Sequence, residues 1–507
     1  MPFFWYCPLP EQKINQNKTA ILWLVFFSIA GILTITLYKD GEQQDSGYHY
    51  LFARWAFRYP EYFVSVWGRP LFTLLYSLPA QLGYQIARLS TLIICLLTGW
   101  QTYKLSDRLG APKSARAIPF LFLQPAFFLI SGTVLTEPLF ALIMAIVIRI
   151  QLSGRLLLAS FIASSLIMVR PEGFFVGIIY GFFILLDRKS QAGLASRLVK
   201  TLVLGIGMLV WWSAAMIITR DPLWIAHNWP PDWQALGKAN GTGPIWWYFA
   251  MLPLIVGPLL LLPFLIGFKH LLAERKFLAG LSIFIILLCL HSLMFWQGWF
   301  GSAGYPRYFV CVSPITAIIS MTGWNVVEDK LTRHWQTLVP FFSGTLFSLS
   351  LVFCIFYIDG WRSTRDAFAV DEMTAWLKNH DIRFKRLITS QAYMRIALDR
   401  DPLENADFSS HFDKNIELIA GAAPGTLIFW DSDTGVKWYR LKADDIDGAG
   451  YTELRSESYS IKGYLPWPDW KLFGGPRYQT LHVFIKPEIR PEIRPEIRPE
   501  IRPEIRP

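Results

Sequence analysis

Residues 19–50 read TAILWLVFFSIAGILTITLYKDGEQQDSGYHY, and this stretch decides the class of fold. Its first part, Thr19 to Tyr38, carries no charge and at about 1.5 Å per helical residue is long enough to cross a bilayer core of about 30 Å. The segment that follows at once holds three acids, Asp40, Glu42 and Asp45, with His49 close behind. A membrane protein gains no packing from three carboxylates at the end of its first helix, so they read as chemistry at a membrane surface. A solvated loop explains them equally well on spacing alone, and what tips the balance lies further along the chain.

The whole sequence agrees with a membrane setting. Of 507 residues, 53% are hydrophobic and only 17% charged, which is outside the range of a soluble domain of this size. Hydropathy predicts about eleven helices, at 19–38, 71–101, 117–132, 137–152, 155–170, 172–187, 198–218, 246–268, 277–296, 308–326 and 337–358. Several of the central ones fall short of the roughly 20 residues of a full crossing, so their ends are expected in a cavity or a thinned region.

Lys and Arg recur on one side of these spans: Lys13 and Lys18, then Lys104, Arg108, Lys113 and Arg116, and later Arg188, Lys189, Arg197 and Lys200. The positive-inside rule therefore predicts a cytoplasmic N-terminus, with the C-terminal part exported, as in a bacterial inner membrane. The expected class is an α-helical polytopic membrane protein with a small C-terminal extracytoplasmic α/β domain. Its parts are a leader at 1–18, a membrane domain at 19–358, the α/β domain at 359–486 and a low-complexity tail at 487–507.

Most of the net charge of +10 falls in the cytoplasmic loops, where it sets topology and meets anionic membrane lipids, so no nucleic-acid partner is invoked. The first apolar run lacks a small-residue cleavage pattern and reads as a retained anchor. None of the five cysteines lies in 359–486, which leaves that domain without a disulfide framework or a thiol metal site.

With this topology the acidic loop, the Thr136-Glu137-Pro138 turn, the Arg170-Pro171-Glu172 turn and the loop from Gln297 to Arg307 share the outer face. Residues 48–70 mix aromatics with Arg54, Arg58 and Arg69 and suit an amphipathic helix in the interface plane. Arg88, near the outer end of the second span, either snorkels to headgroups or faces a lipid phosphate. Glu137 before Pro138 is an ordinary helix start, favoured by the helix dipole, and that explains it without any function. Convergence with the first loop is what makes it a candidate.

A Gly-rich turn ahead of Arg307 suits an anion. The tryptophans of 220–247 read first as an interface belt and second as a stacking surface for a sugar. In the C-terminal part, 386–390, 425–432 and 478–486 read as strands and 370–380 as a helix, with Asp431-Ser432-Asp433 first a polar loop that ends a strand and second a metal contact. The repeated Pro-Glu-Ile-Arg of the tail forbids a helix and offers little apolar surface.

The order of these pieces carries a resemblance: the acidic first loop with DSGYHYL, LGYQIARLS entering the second span, LTEPLF opening the fourth, MVRPEGF between the fifth and sixth, and GYPRYF opening a late span. Over roughly residues 19–358 it resembles the GT-C superfamily of membrane glycosyltransferases, which includes protein O-mannosyltransferases, bacterial aminoarabinose transferases and glycosylphosphatidylinositol mannosyltransferases. The resemblance implies inverting transfer of a sugar, mannose or a related hexose or pentose, from a polyprenyl-phosphate carrier to a lipid, glycan or protein acceptor on the non-cytoplasmic face.

It further implies Asp45 and Glu137 as catalytic acids and Arg170 and Arg307 as ligands of the donor phosphate, which Arg88 joins on its lipid-phosphate reading. Asp40, Glu42, His49 and Glu172 are placed around the substrate. Metal use is open on this reading; Asp45 and Glu137 are the carboxylates that would hold a magnesium or manganese ion. The first loop departs from the protein mannosyltransferases in lacking an adjacent Asp-Glu pair.

Three other classes compete. A transporter or lipid flippase would show internal repeats and ionisable residues deep in paired spans, whereas charge here gathers at outer turns. A ligase that takes lipid-linked glycans from a diphosphate carrier would keep its basic residues in one large late loop. A membrane-anchored sensor would place its function in the exported domain.

Overall fold

The computed structural model describes residues 10–40, 43–186, 193–229, 242–275, 277–299, 302–359, 363–389, 391–401, 406–409, 411–432, 434–461 and 477–487. The chain divides near residue 364 into a helical unit and a smaller unit built on a sheet.

In the helical unit the first span is one helix, Pro10–Leu37, followed by a shorter helix, Gln43–Trp55, that carries Asp45 in its first turn. The sequence suggested one amphipathic helix over 48–70. The chain instead leaves the helix after Trp55, makes a 3-10 turn at Pro60–Val64 and restarts at Pro70, since proline lacks the N–H that a continuing helix needs.

The expected span at 71–101 is two helices, Pro70–Gln81 and Tyr84–Arg108, broken at Gly83 with φ of 110°. The stretch 117–132 is likewise not one crossing. It forms two short helices, Ala117–Phe122 and Pro125–Ile130, with every residue buried. Their all-round apolarity reflects enclosure by other helices. The link between them is held by Gln124, whose amide donates to Ser313 O at 3.1 Å while its oxygen accepts from Thr316 Oγ1 at 3.0 Å.

The segment 246–268 is also interrupted, as Trp247–Ala250, Leu252–Val256 and Leu261–Ala273. Glu137–Leu152 and Glu172–Leu186 begin where the sequence placed them. Among the described residues, four segments are long and apolar enough to cross a membrane: Ile14–Leu37, Leu194–Thr219, Leu278–Gln297 and Pro306–Ile358.

Leu261–Ala273 and Ser313–Trp335 pack backbone against backbone. A Cβ added to Gly267 would meet Ile319 O at 1.9 Å, and one added to Gly323 would meet Pro263 O at 1.8 Å. Where lipid tails are as apolar as leucine, such close approach through small residues supplies the association that hydrophobic burial supplies in water.

The second unit carries a four-stranded sheet, β1 (Arg386–Thr389), β2 (Thr426–Asp431), β3 (Thr452–Ile461) and β4 (Arg477–Ile485), in the order β1-β2-β4-β3. β1 and β2 are parallel and the other pairs antiparallel. Ile388, Ile428, Trp430 and Phe484 form its core with Ile419, Leu441 and Ile446. Three strands lie where the sequence pattern put them, and the expected helix at 370–380 is the C-terminal part of Ser363–Asn379. β3 escaped notice because it is an edge strand studded with Glu453, Arg455 and Glu457, residues that guard an edge but weaken the strand signal. Asp431 ends β2 as a buried, satisfied carboxylate, accepting from Gln391 Nε2 and Gln479 Nε2 at 2.9 Å and from the Thr434 N–H at 2.7 Å. Asp433 lies outside the described residues.

Candidate active site

The floor of the site is braced by residues that the sequence offered as ligands. Asp40 is buried and accepts hydrogen bonds from Tyr84 Oη and Ser46 Oγ, both at 2.5 Å, while Ser46 Oγ accepts from the Val134 N–H at 2.6 Å. Asp40 thus ties the Asp45 helix to Tyr84–Arg108 and to the turn before Glu137.

Arg88, expected at the donor phosphate, has a different task. Its guanidinium is buried and donates to the carbonyls of Gly132 at 2.5 Å, Tyr38 at 3.1 Å and Ile35 at 3.2 Å. It closes the end of the first span, whose last carbonyls have no partners within the helix. Glu42 lies outside the described residues.

Next to these braces the turns that carry Glu137, Arg170 and Arg307 converge on the Asp45 helix. The guanidinium of Arg307 pairs with the Asp45 carboxylate, and its Nε lies 3.9 Å from Glu137 Oε1. Glu137 Oε1 is in turn 2.8 Å from Arg170 Nη1, and Arg170 Nη2 is 2.7 Å from Glu172 Oε1. Thr136 Oγ1 accepts from Arg170 Nη1 at 3.0 Å. Glu172 Oε1 is 3.8 Å from His291 Nε2. The result is an alternating row, Asp45, Arg307, Glu137, Arg170, Glu172, His291, drawn from five separate segments.

Local structure explains the placement. Gly304 has φ of 70°, and the Trp247 indole donates to its carbonyl at 2.9 Å, which fixes the turn that delivers Arg307. Arg307 lies 4.9 Å from the ring centre of Tyr305, and Arg170 lies 5.7 Å from that of Tyr308, so aromatic faces back both cations.

Exposure divides the acids. The Asp45 side chain is 36% exposed and that of Glu137 only 1%. Burial opposes ionisation of Asp45, but the Arg307 guanidinium outweighs it and holds the carboxyl below the usual aspartate range. His49 is one turn further along the same helix, buried, with its ring parallel to Trp67 at 6.2 Å and tilted on Phe72 at 5.2 Å. Burial drives its pKa down to about 3; Asp45 pulls the other way, and Arg69, Arg170 and Arg307 add to the fall. His49 is therefore neutral at physiological pH.

The donor set does not fit a divalent ion between Asp45 and Glu137. Arg307 already reaches both carboxylates, and among the described residues no three His, Cys, Asp or Glu side chains group as metal ligands. Positive charge here is supplied by arginine.

No protein-family model matches the chain, and no curated protein matches it by sequence. Among solved structures it is similar to ArnT from Cupriavidus metallidurans in the apo state, at 14% identity and a TM-score of 0.58, over 91% of this chain and 98% of that one. The same protein bound to undecaprenyl phosphate matches at 12% identity and 0.59, with the same coverage. The chain has the fold of ArnT.

It is a multi-pass helical membrane protein of the architecture seen in ArnT, with the small sheet-bearing unit at its C-terminus. Two residues of the candidate site escaped the sequence reading. His291 is buried in Leu278–Gln297, and the available signal was a lone ionisable residue in an otherwise apolar span. Arg69 was seen only as part of an amphipathic stretch. It is buried with φ of 65°, donates to Val66 O at 2.6 Å, and feels the charges of Arg170, Glu172 and Glu137.

Proposed function

We propose that this chain is an inverting glycosyltransferase that moves a hexose or pentose from a polyprenyl-phosphate carrier to an acceptor hydroxyl on the non-cytoplasmic side of the membrane. One observation carries the reading: two arginines, the part-buried Arg170 and the buried Arg307, stand on either side of Glu137, with a part-exposed carboxylate, Asp45, at the end of the row. That the same fold in ArnT has been solved with undecaprenyl phosphate supports a lipid phosphate as the anion.

The chemistry follows from the charges. A donor phosphate competes with Asp45 for Arg307 and with the glutamates for Arg170, each guanidinium offering a planar fork to two oxygens. Asp45, released from Arg307, accepts the proton of the acceptor hydroxyl as its oxygen attacks the anomeric carbon. The bond from that carbon to the phosphate oxygen breaks, its electron pair stays on the phosphate, and the arginines stabilise the charge that develops. Attack from the face opposite the leaving group inverts the anomeric centre. Glu137, buried between the guanidiniums, sets their spacing and is a positioning residue in this scheme.

The test is transfer in liposomes from a defined polyprenyl-phosphate sugar. Turnover with inverted product supports the proposal; turnover only from a diphosphate-linked glycan would assign the chain to the ligases, and movement of lipid without transfer to the flippases.

A further inference from the structure

His291 has no part in the transfer step, yet its setting is unusual. It is buried, and neither ring nitrogen has a hydrogen-bond partner among the described residues. Tyr308 stacks on it at 5.3 Å and 21°, and Phe309 and Tyr248 close the ring in at 5.5 and 5.8 Å. The charged groups facing it are Glu172 and, beyond Glu172, Arg170. An orphan polar ring in such surroundings is costly to leave unmade. Its nearest acceptor, Glu172 Oε1, stands 3.8 Å away, about one ångström beyond a charge-assisted hydrogen bond.

Glu172 is drawn off by Arg170, which takes it at 2.7 Å. When Arg170 turns to a phosphate, that pairing opens and a carboxylate whose side chain is only 10% exposed loses its cation. A buried carboxylate that has lost its cation opposes the very movement that donor binding requires.

We propose that His291 is a positioning residue that receives Glu172 through an imidazole N–H when Arg170 engages the donor phosphate. The carboxylate needs a shift of about one ångström, and it stays at the start of its own helix, where backbone N–H groups also favour it. His291 thereby lowers the cost of freeing Arg170 without touching the donor. The inference rests on the donor reading given above.

The experiment measures affinity of the full-length protein in detergent for undecaprenyl phosphate. His291→Phe keeps the ring stack on Tyr308 and removes the donor, so binding should weaken by about tenfold, the worth of one charge-assisted hydrogen bond. His291→Gln restores an N–H and should bind within about threefold of the parent. In a Glu172→Gln background no charge needs a new partner, so His291→Phe should change nothing further. Parental affinity in His291→Phe, or an equal loss in the Glu172→Gln background, overturns the relay while leaving the transferase reading intact. If the unaltered protein does not bind undecaprenyl phosphate, the donor reading itself falls and the relay with it.

Discussion

Arg307 and Asp45 are separated by 262 residues in the chain, yet the guanidinium of one rests on the carboxylate of the other. This contact holds the proposed base as an anion and occupies the cation proposed for phosphate. The two roles are therefore linked: an anion that takes Arg307 frees Asp45.

Asp45→Asn separates binding from chemistry. It removes the base and also removes Arg307's competitor, so affinity for a polyprenyl phosphate should hold or tighten while transfer slows by about 10²- to 10⁴-fold. Lipid binding and single-turnover transfer, measured on the same preparation with its melting curve, check both halves. Transfer at the parental rate would remove Asp45 from the mechanism.

Arg307→Lys keeps the charge and loses the fork. Lysine presents a point charge that cannot bond two oxygens in one plane, so affinity for undecaprenyl phosphate should fall by about tenfold. The Lys variant should also release Asp45 from its bidentate-capable partner without unfolding the site, because Glu137 keeps Arg170. Unchanged affinity would assign Arg307 to packing.

His49 gives the fold a pH dependence of known sign. Its pKa lies near 3 in the folded chain against 6.5 for the free group, so between these values the unfolded chain binds the proton and the folded one does not. The stability from keeping His49 neutral is fully present above about pH 6.5 and is lost as pH falls toward 3. His49→Phe retains the contacts with Trp67 and Phe72 and should flatten the melting temperature between pH 6.5 and 4 relative to the parent. Parallel profiles for the two proteins would show that His49 does not titrate in this window.

Gly323→Ala tests the closest helix crossing. The new methyl would have to push Pro263 O away from 1.8 Å, and with Gly267 facing the same seam there is no smaller side chain to yield. Overpacking of this kind costs about 1–3 kcal/mol, so the variant should melt at a lower temperature. Gly344→Ala, where an added Cβ meets nothing within 4 Å, is the matched control.

The sequence by itself determined the membrane character, the starts of Glu137–Leu152 and Glu172–Leu186, and three of the four strands, because each rests on local periodicity or on a helix-start residue. It also singled out Asp45, Glu137, Arg170, Glu172 and Arg307, since charges at the ends of apolar spans stand out against composition.

Tertiary structure decided which charges meet. Hydropathy responds alike to lipid and to surrounding protein, so it could not separate the enclosed helices Ala117–Phe122 and Pro125–Ile130 from a crossing span. Nor does a sequence say whether an arginine's donors are committed. Arg88 is tied to three backbone carbonyls and Asp40 to Tyr84 and Ser46, while Arg170 and Arg307 pair with acids. His291 shows in the sequence only as a lone ionisable residue in an apolar span; its 3.8 Å gap to Glu172 is set by how two helices pack.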